Sequence, residues 1–144
     1  MADVDERLEE MITRLREQGH RVTPQRVAVL RILAESRGHP SVEQIYEQVR
    51  TNFPTTSLAT IYKTVSLLKD MHEVLEINLQ SQHHRYDGNK PYPHPHLICV
   101  RCGKIIDFER AHALDVLQES VREAGYELVA HRVELFGVCP QCQG

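Results

Sequence analysis

Residues 57–79, SLATIYKTVSLLKDMHEVLEINL, contain the change of pattern that decides the fold. Ser57 can cap a helix, and apolar side chains then recur at helical spacing as far as Leu68. Residues 74–79 alternate instead and include β-branched side chains, which favour a strand. The sequence therefore predicts a helix that is followed at once by a strand.

Three more helices are predicted before this stretch. Their apolar spacing places them over about residues 8–19, 24–38 and 41–54, with Thr23 and Ser41 as N-terminal caps. A second strand should contain His84–Tyr86. Helices followed by a short hairpin are the order of a winged helix-turn-helix, and a plain helix bundle with a satellite hairpin is the alternative.

Local charge makes duplex DNA a candidate partner of this first domain. The whole chain has a formal charge of −3, yet Lys and Arg outnumber acidic residues nine to four between Arg14 and Lys69. The alternative is a solvated helical surface of mixed charge. In a winged helix the last helix before the hairpin enters the major groove. The candidate DNA-binding residues are Arg21, Thr60, Tyr62, Lys63 and Thr64.

Composition also predicts two domains joined by a hinge. Residues 88–95 are rich in Pro, Gly and Asn, which separates a DNA-binding domain, 1–87, from a second domain, 96–144. We expect strands over 96–99 and 104–108, a helix over 112–124 and a strand over 126–138. The predicted class is α+β, with a small C-terminal α/β dimerisation domain that needs a staple because its core is small.

Four cysteines supply a candidate staple. Cys99 and Cys102 form one CxxC pair, and Cys139 and Cys142 form another. No long apolar run or signal peptide is evident among the 144 residues, so a cytoplasmic protein without a membrane span is expected. In a reducing compartment paired cysteines favour a metal over disulfides, and four thiolates suit a closed tetrahedral Zn²⁺ site.

A second ligand set begins just before the first cysteine pair. His94 and His96 are two residues apart on an extended segment, so both imidazoles can face one ion. Asp107 can reach across the neighbouring strand, and Asp87 could add a carboxylate from the other domain. Nitrogen and oxygen ligands suit a redox-active or exchangeable ion. Hinge histidines that only contact water are the alternative, and His20, His72 and His112 are not expected to be ligands.

Four segments, taken in order, resemble the ferric uptake regulator family. They are residues 22–26 (VTPQR), 39–46 (HPSVEQIY), 58–65 (LATIYKTV) and 94–108, which include the first CxxC pair. The resemblance implies a dimeric, metal-responsive repressor of transcription. It also implies structural zinc on the four cysteines and a regulatory metal, Fe²⁺ or Mn²⁺, on a five-residue set. That set is His39, Asp87, His94, His96 and Asp107.

Within that family, two aspartates and three histidines look like the peroxide-sensing branch. There, Fe²⁺ reacts with H₂O₂ and a ligand histidine is oxidised, which by resemblance would be His39 or His94. An iron-responsive or manganese-responsive repressor is the alternative. A third metal site at His131 is not expected, because its partners are missing.

Two other classes of protein fit the sequence less well. A metalloenzyme would need a motif such as HExxH, which this chain lacks, and zinc would leave no free thiol nucleophile. A zinc-ribbon adaptor that binds only protein remains possible on the cysteines alone. Salt-dependent binding to duplex DNA that needs metal would exclude both classes.

Overall fold

The computed structural model describes residues 3–36, 38–78, 84–92, 94–108, 112 and 114–144. The chain forms two compact units, Met1–Tyr92 and Pro93–Gly144. In the first unit four helices precede a hairpin. They are α1 (Val4–Glu17), α2 (Pro24–Glu35), α3 (Val42–Asn52) and α4 (Leu58–Asp70), followed by strands β1 (Leu75–Asn78) and β2 (His84–Asp87). This order confirms the winged helix-turn-helix and the α+β class.

Local capping explains where the helices begin. The side chains of Thr23 and Ser57 accept hydrogen bonds from backbone N–H groups three residues ahead. Ser41 and Gln44 form a reciprocal capping box at the start of α3. Each cap satisfies a donor that would otherwise lack an intrahelical partner, so the predicted starts at these three positions agree with the structure.

The helices and the hairpin share one apolar core in the first unit. Met11 and Leu15 of α1, Leu30 and Leu33 of α2 and Ile45 of α3 are among its most buried side chains. The hairpin pairs β1 with β2 in antiparallel register, so that Leu75 lies opposite Asp87. Leu79, which was assigned to the first predicted strand, lies outside the described residues.

The second unit contains a small three-stranded sheet and one helix. Its elements are β3 (His96–Cys99), β4 (Ile105–Asp107), α5 (Asp115–Glu123), β5 (Glu134–Gly137) and a 3₁₀ turn (Pro140–Cys142). Strand β3 is central, antiparallel to β4 and parallel to β5. The sheet therefore brings the turn after β3 close to the residues that follow β5.

Three predicted elements of the second unit are shorter in the structure, and one of them is the strand expected over 104–108, which spans only Ile105–Asp107. The strand expected over 126–138 is confined to Glu134–Gly137, because only these residues pair with β3. Tyr126 and Val129 are 74% and 92% exposed, so alternation alone did not make the preceding segment a strand. The helix expected over 112–124 begins at Asp115 and ends at Glu123.

The predicted hinge contains residues that pack within the first unit. Gly88 donates its N–H to the carbonyl of Leu33 in α2, and Asn89 donates its side-chain amide to Ala34. A β-carbon at Gly88 would lie 2.8 Å from atoms of Leu33, so only glycine permits this approach. Pro93, also assigned to the hinge, is outside the described residues. None of the described helices has the length and apolar character that crossing a membrane requires.

Candidate metal-binding and DNA-contacting sites

The four cysteines of the second unit lie together. Their sulfur atoms are all within 4.8 Å of one another, and the Sγ atoms of Cys102 and Cys139 are 3.7 Å apart. Tetrahedral zinc with Zn–S bonds of about 2.3 Å requires sulfur atoms about 3.8 Å apart. The parallel pairing of β3 with β5 brings the two CxxC turns together, and the residues present fit a closed Zn²⁺ site.

Backbone groups and neighbouring thiols make the four sulfurs unequal. The N–H groups of Cys102 and Cys139 donate to Cys99 Sγ at 3.5 and 3.3 Å, and they lower the pKa of the Cys99 thiol to about 6. A hydrogen bond with Cys139 raises the pKa of the Cys142 thiol to about 12. A metal that binds all four as thiolates must therefore displace the proton of Cys142.

The first unit brings two of the predicted regulatory ligands together. His39 lies in the loop between α2 and α3, and Asp87 ends β2. Both side chains are buried, and His39 Nδ1 is 3.6 Å from Asp87 Oδ2. A buried carboxylate beside an imidazole can bind a divalent cation through nitrogen and oxygen, so this pair fits part of a coordination shell.

Other groups of the first unit hold this pair in place. The N–H groups of Asn89 and Lys90 donate to Asp87 Oδ1 at 2.9 and 3.0 Å, which orients the carboxylate. Ser36 Oγ lies 3.0 Å from His39 Nδ1, and Arg85 hydrogen-bonds to the loop backbone. Orientation of metal ligands by such neighbours is common in metalloproteins.

The second unit brings the other three predicted ligands together. His94 Nε2 and His96 Nε2 are 3.1 and 3.5 Å from Asp107 Oδ1. Antiparallel pairing places His96 opposite Asp107, and the two imidazole rings have centroids 4.3 Å apart. Both histidines are buried whereas Asp107 is partly exposed, so this trio also offers nitrogen and oxygen ligands to one cation.

The surface of α4 carries most of the predicted DNA contacts. Thr60, Tyr62 and Lys63 are exposed, as is Arg21 before α2. The Tyr62 hydroxyl donates to Glu43 Oε1 at 2.9 Å, which ties α4 to α3. Tyr62 and Lys63 therefore lie on a helix that is hydrogen-bonded to α3.

Thr64 does not belong with these residues. Its side chain is only 3% exposed, and its hydroxyl donates to the carbonyl of Thr60 at 3.0 Å. The period of α4 turns this position towards the core with Ile61 and Leu68, so the prediction that Thr64 faces DNA was wrong.

Sequence reasoning missed the groups that support the ligands. Ser36 and Arg85 were not singled out, and neither were the backbone donors to Cys99. One signal was available, because Arg85 is two residues before Asp87 and shares its face of β2. Its partners, the carbonyls of Gly38 and His39, are remote in sequence and carry no pattern.

Comparisons with known proteins agree with this fold. The model of the ferric uptake regulator family matches residues 17–136. The peroxide-responsive repressor PerR of Staphylococcus epidermidis is 38% identical over 143 residues, which are 99% of this chain and 95% of the relative.

Two solved structures have similar folds. The ferric uptake regulator Fur of Helicobacter pylori, described as having three functional metal-binding sites, has a TM-score of 0.86 at 26% identity, covering 99% of this chain and 95% of Fur. A zinc-bound manganese uptake regulator has a TM-score of 0.72 at 35% identity, covering 92% of this chain and 98% of the regulator.

A winged helix followed by a small domain with clustered metal ligands defines a metal-responsive regulator of transcription, not an enzyme. The chain belongs to the ferric uptake regulator family. The expected family and the absence of an enzymatic role are thereby confirmed.

Proposed function

We propose that this chain is a repressor that senses peroxide through Fe²⁺ bound at its nitrogen and oxygen ligands. The observation that carries the proposal is 38% identity, over nearly the whole chain, to a relative named as a peroxide-responsive repressor. The two aspartates and three histidines of the predicted regulatory set support it. The four cysteines of the two CxxC pairs take Zn²⁺ as a structural ion.

The proposed regulatory set has five members. His39 and Asp87 supply nitrogen and oxygen from the first unit, and His94, His96 and Asp107 supply them from the second. Neither group alone has enough ligands for the six positions that Fe²⁺ or Mn²⁺ prefers, whereas five together leave one position for peroxide. Such an ion would link metal occupancy to the affinity for DNA, because it would bind better to the conformation that binds DNA.

The chemistry is the oxidation of a ligand by H₂O₂. Fe²⁺ held by these residues would catalyse this reaction without a net change in its own oxidation state. Overall, one oxygen atom of H₂O₂ is added to an imidazole ring and the other leaves as water, so peroxide is reduced and the histidine is oxidised. His39 and His94 are the proposed targets. An oxidised imidazole binds metal poorly, and loss of the ion releases DNA.

Oxidation of these two histidines can be tested directly. We expect that zinc-containing protein loaded with Fe²⁺ without oxygen, then given a small excess of H₂O₂, gains one oxygen atom on peptides containing His39 or His94. Peptides containing His20 and His72 serve as internal controls, and Mn²⁺-loaded protein should gain none. Mass spectrometry of the digested protein measures the gain.

An iron-responsive or manganese-responsive repressor is the second candidate. The similarity of the fold to the Helicobacter pylori Fur and to a manganese uptake regulator favours it. If neither His39 nor His94 is oxidised while DNA binding still requires metal, peroxide sensing is excluded and this candidate replaces it.

The proposed partner is an operator in double-stranded DNA, which places the protein in the cytoplasm. Thr60, Tyr62 and Lys63 on α4, together with Arg21, form the proposed contact surface. Their exposure supports this assignment, as does the entry of the corresponding helix into the major groove in winged helix-turn-helix proteins.

Replacing Lys63 with alanine should weaken DNA binding about tenfold, because the ammonium is expected to contact a phosphate. The slope of log affinity against log salt concentration should become less steep by about one per subunit. The probe is a duplex selected from a random-sequence library by Mn²⁺-loaded wild-type protein. Fluorescence anisotropy over a range of salt concentrations gives both quantities. Lys104→Ala, an exposed lysine of the second unit, is the matched control. Equal affinities of the two variants would exclude α4 as the contact surface.

The second unit is the proposed dimerisation surface. Its exposed apolar side chains are unusual for a monomer, and a second copy of the chain would bury them. Among them are Val116 (75% exposed), Leu117 (56%), Tyr126 (74%), Val129 (92%), Leu135 (45%) and Phe136 (40%).

A further inference from the structure

Arg85, two residues before the proposed ligand Asp87 on β2, makes two hydrogen bonds to the backbone of another segment. Its Nε donates to the carbonyl of His39, and its Nη2 donates to the carbonyl of Gly38. One guanidinium therefore holds two successive peptide groups of the loop between α2 and α3. A planar fork of donors can satisfy two carbonyls at once, whereas the single ammonium of lysine cannot reproduce this geometry.

The loop needs such support because its backbone is strained. Ser36 and His39 have φ angles of 50° and 51°, in the left-handed region that residues other than glycine adopt at a cost. Such conformations persist where surrounding contacts impose them. Besides Arg85, the N–H of Tyr86 donates to the carbonyl of Pro40 at 3.0 Å, so β2 holds the loop on both sides of its histidine.

Arg85 also connects the two ligands of the first unit. It lies two residues before Asp87 on the same face of β2, and its guanidinium reaches the backbone of His39. Strand β2 thus contains the carboxylate of Asp87 and also holds, through Arg85, the backbone of His39. Burial lowers the pKa of Arg85, which indicates that its guanidinium is drawn away from water into these contacts.

We propose that Arg85 is a positioning residue for the regulatory metal, which sets the backbone of His39 so that its imidazole meets the ion together with Asp87. The inference deepens the proposed function and rests on His39 being a ligand. Without the Arg85 guanidinium, the loop between α2 and α3 can relax from its strained conformation. Part of the free energy of metal binding is then needed to restore that conformation. Substitution of residues that orient metal ligands typically lowers metal affinity by about 10- to 100-fold.

Metal titration of the zinc-loaded full-length chain tests this role. We expect Arg85→Lys and Arg85→Met to weaken Mn²⁺ binding at least tenfold, measured from the electron paramagnetic resonance signal of free Mn²⁺. Arg50→Lys and Arg50→Met are matched controls, because Arg50 is exposed in the same unit and its contacts with Glu47 and the Tyr46 ring lie within α3. These controls should bind Mn²⁺ as the wild type does.

A variant cycle separates positioning from general stability. In a His39→Ala background, adding Arg85→Lys should change Mn²⁺ affinity less than twofold, because Arg85 acts through His39. A purely structural role would lower the melting temperature of Arg85→Lys yet leave Mn²⁺ affinity within twofold of wild type. That result would overturn the proposal, and so would a tenfold further loss in the His39→Ala background.

The peroxide reaction gives an independent readout. Arg85→Lys should lower the oxidation of His39 relative to that of His94, as mass spectrometry of the Fe²⁺-loaded protein measures. If wild type binds Mn²⁺ but no histidine is oxidised, peroxide sensing fails while Mn²⁺ affinity still decides the role of Arg85. If His39→Ala binds Mn²⁺ as wild type does, His39 is not a ligand and the role of Arg85 is overturned, whereas oxidation of His94 in the Fe²⁺-loaded protein still decides peroxide sensing.

Discussion

Replacing Cys102 with serine should remove the zinc and unfold the second unit while the first unit remains folded. The second unit has little core of its own: the buried apolar residues among its described positions are Pro95, Ile98, Cys99 and Ile105, and α5 has no buried residue. Structural zinc in small domains contributes on the order of 10 kcal/mol to folding, well beyond what such a core supplies. The first unit has a separate apolar core that does not depend on the cysteines.

Metal analysis and limited proteolysis together measure this effect. Wild type should retain one zinc per chain and resist cleavage throughout, whereas Cys102→Ser should lose the zinc and be cleaved within residues 94–144. Ser120→Ala is the control, because this exposed side chain of the same unit bonds only to the backbone of its own helix. If Cys102→Ser keeps its zinc and its resistance to protease, the four cysteines are not the structural site.

Replacing Arg7 with methionine should destabilise the first unit by about 3–5 kcal/mol, because it leaves a buried carboxylate without its main partner. Arg7 is 4% exposed and Glu73 is 0% exposed, and Arg7 Nη2 lies 2.7 Å from Glu73 Oε2. The same guanidinium donates to the carbonyls of Glu73 and Gly88 at 2.9 and 2.6 Å, so three buried acceptors lose a donor.

Urea unfolding followed by circular dichroism measures this loss. Arg14→Met is the matched control, since Arg14 also bonds to Glu73 but is half exposed and should contribute no more than about 1 kcal/mol. The hydrogen bond to Glu73 raises the pKa of Arg14, consistent with a favourable but solvated contact. The double variant Arg7→Met/Glu73→Met should recover part of the loss, because it leaves no buried charge. Equal stabilities of Arg7→Met and wild type would show that the pair contributes nothing.

Much of the first unit could be predicted because its determinants are local. The starts of α2, α3 and α4 follow from caps that bond within three residues, at Thr23, Ser41 and Ser57. Apolar spacing then gave the helical faces, and only at Thr64 was the face misassigned. That error arose because threonine is a polar residue, although the spacing of Ile61 and Leu68 already placed position 64 on the apolar face of α4.

The candidate ligands were predictable for a different reason. Cysteine pairs and closely spaced histidines are uncommon, and metals restrict which side chains can bind them. The groups that support them were not predictable, because a serine, an arginine or a backbone N–H is common in every protein. Ser36 beside His39 and the backbone donors to Cys99 became visible only when the chain was folded.

Local sequence was enough to predict the four helices, the hairpin, the family and the division of the candidate ligands into sulfur and nitrogen–oxygen sets. The parallel pairing of β3 with β5, the burial of Arg7 against Glu73 and the hydrogen bonds of Arg85 to the loop between α2 and α3 became known only from the tertiary structure. The physical reason is the separation of the partners along the chain. A cap or a CxxC turn closes within a few residues and is specified by them, whereas remote partners meet only when the packing of a whole unit compensates for the entropy lost in bringing them together.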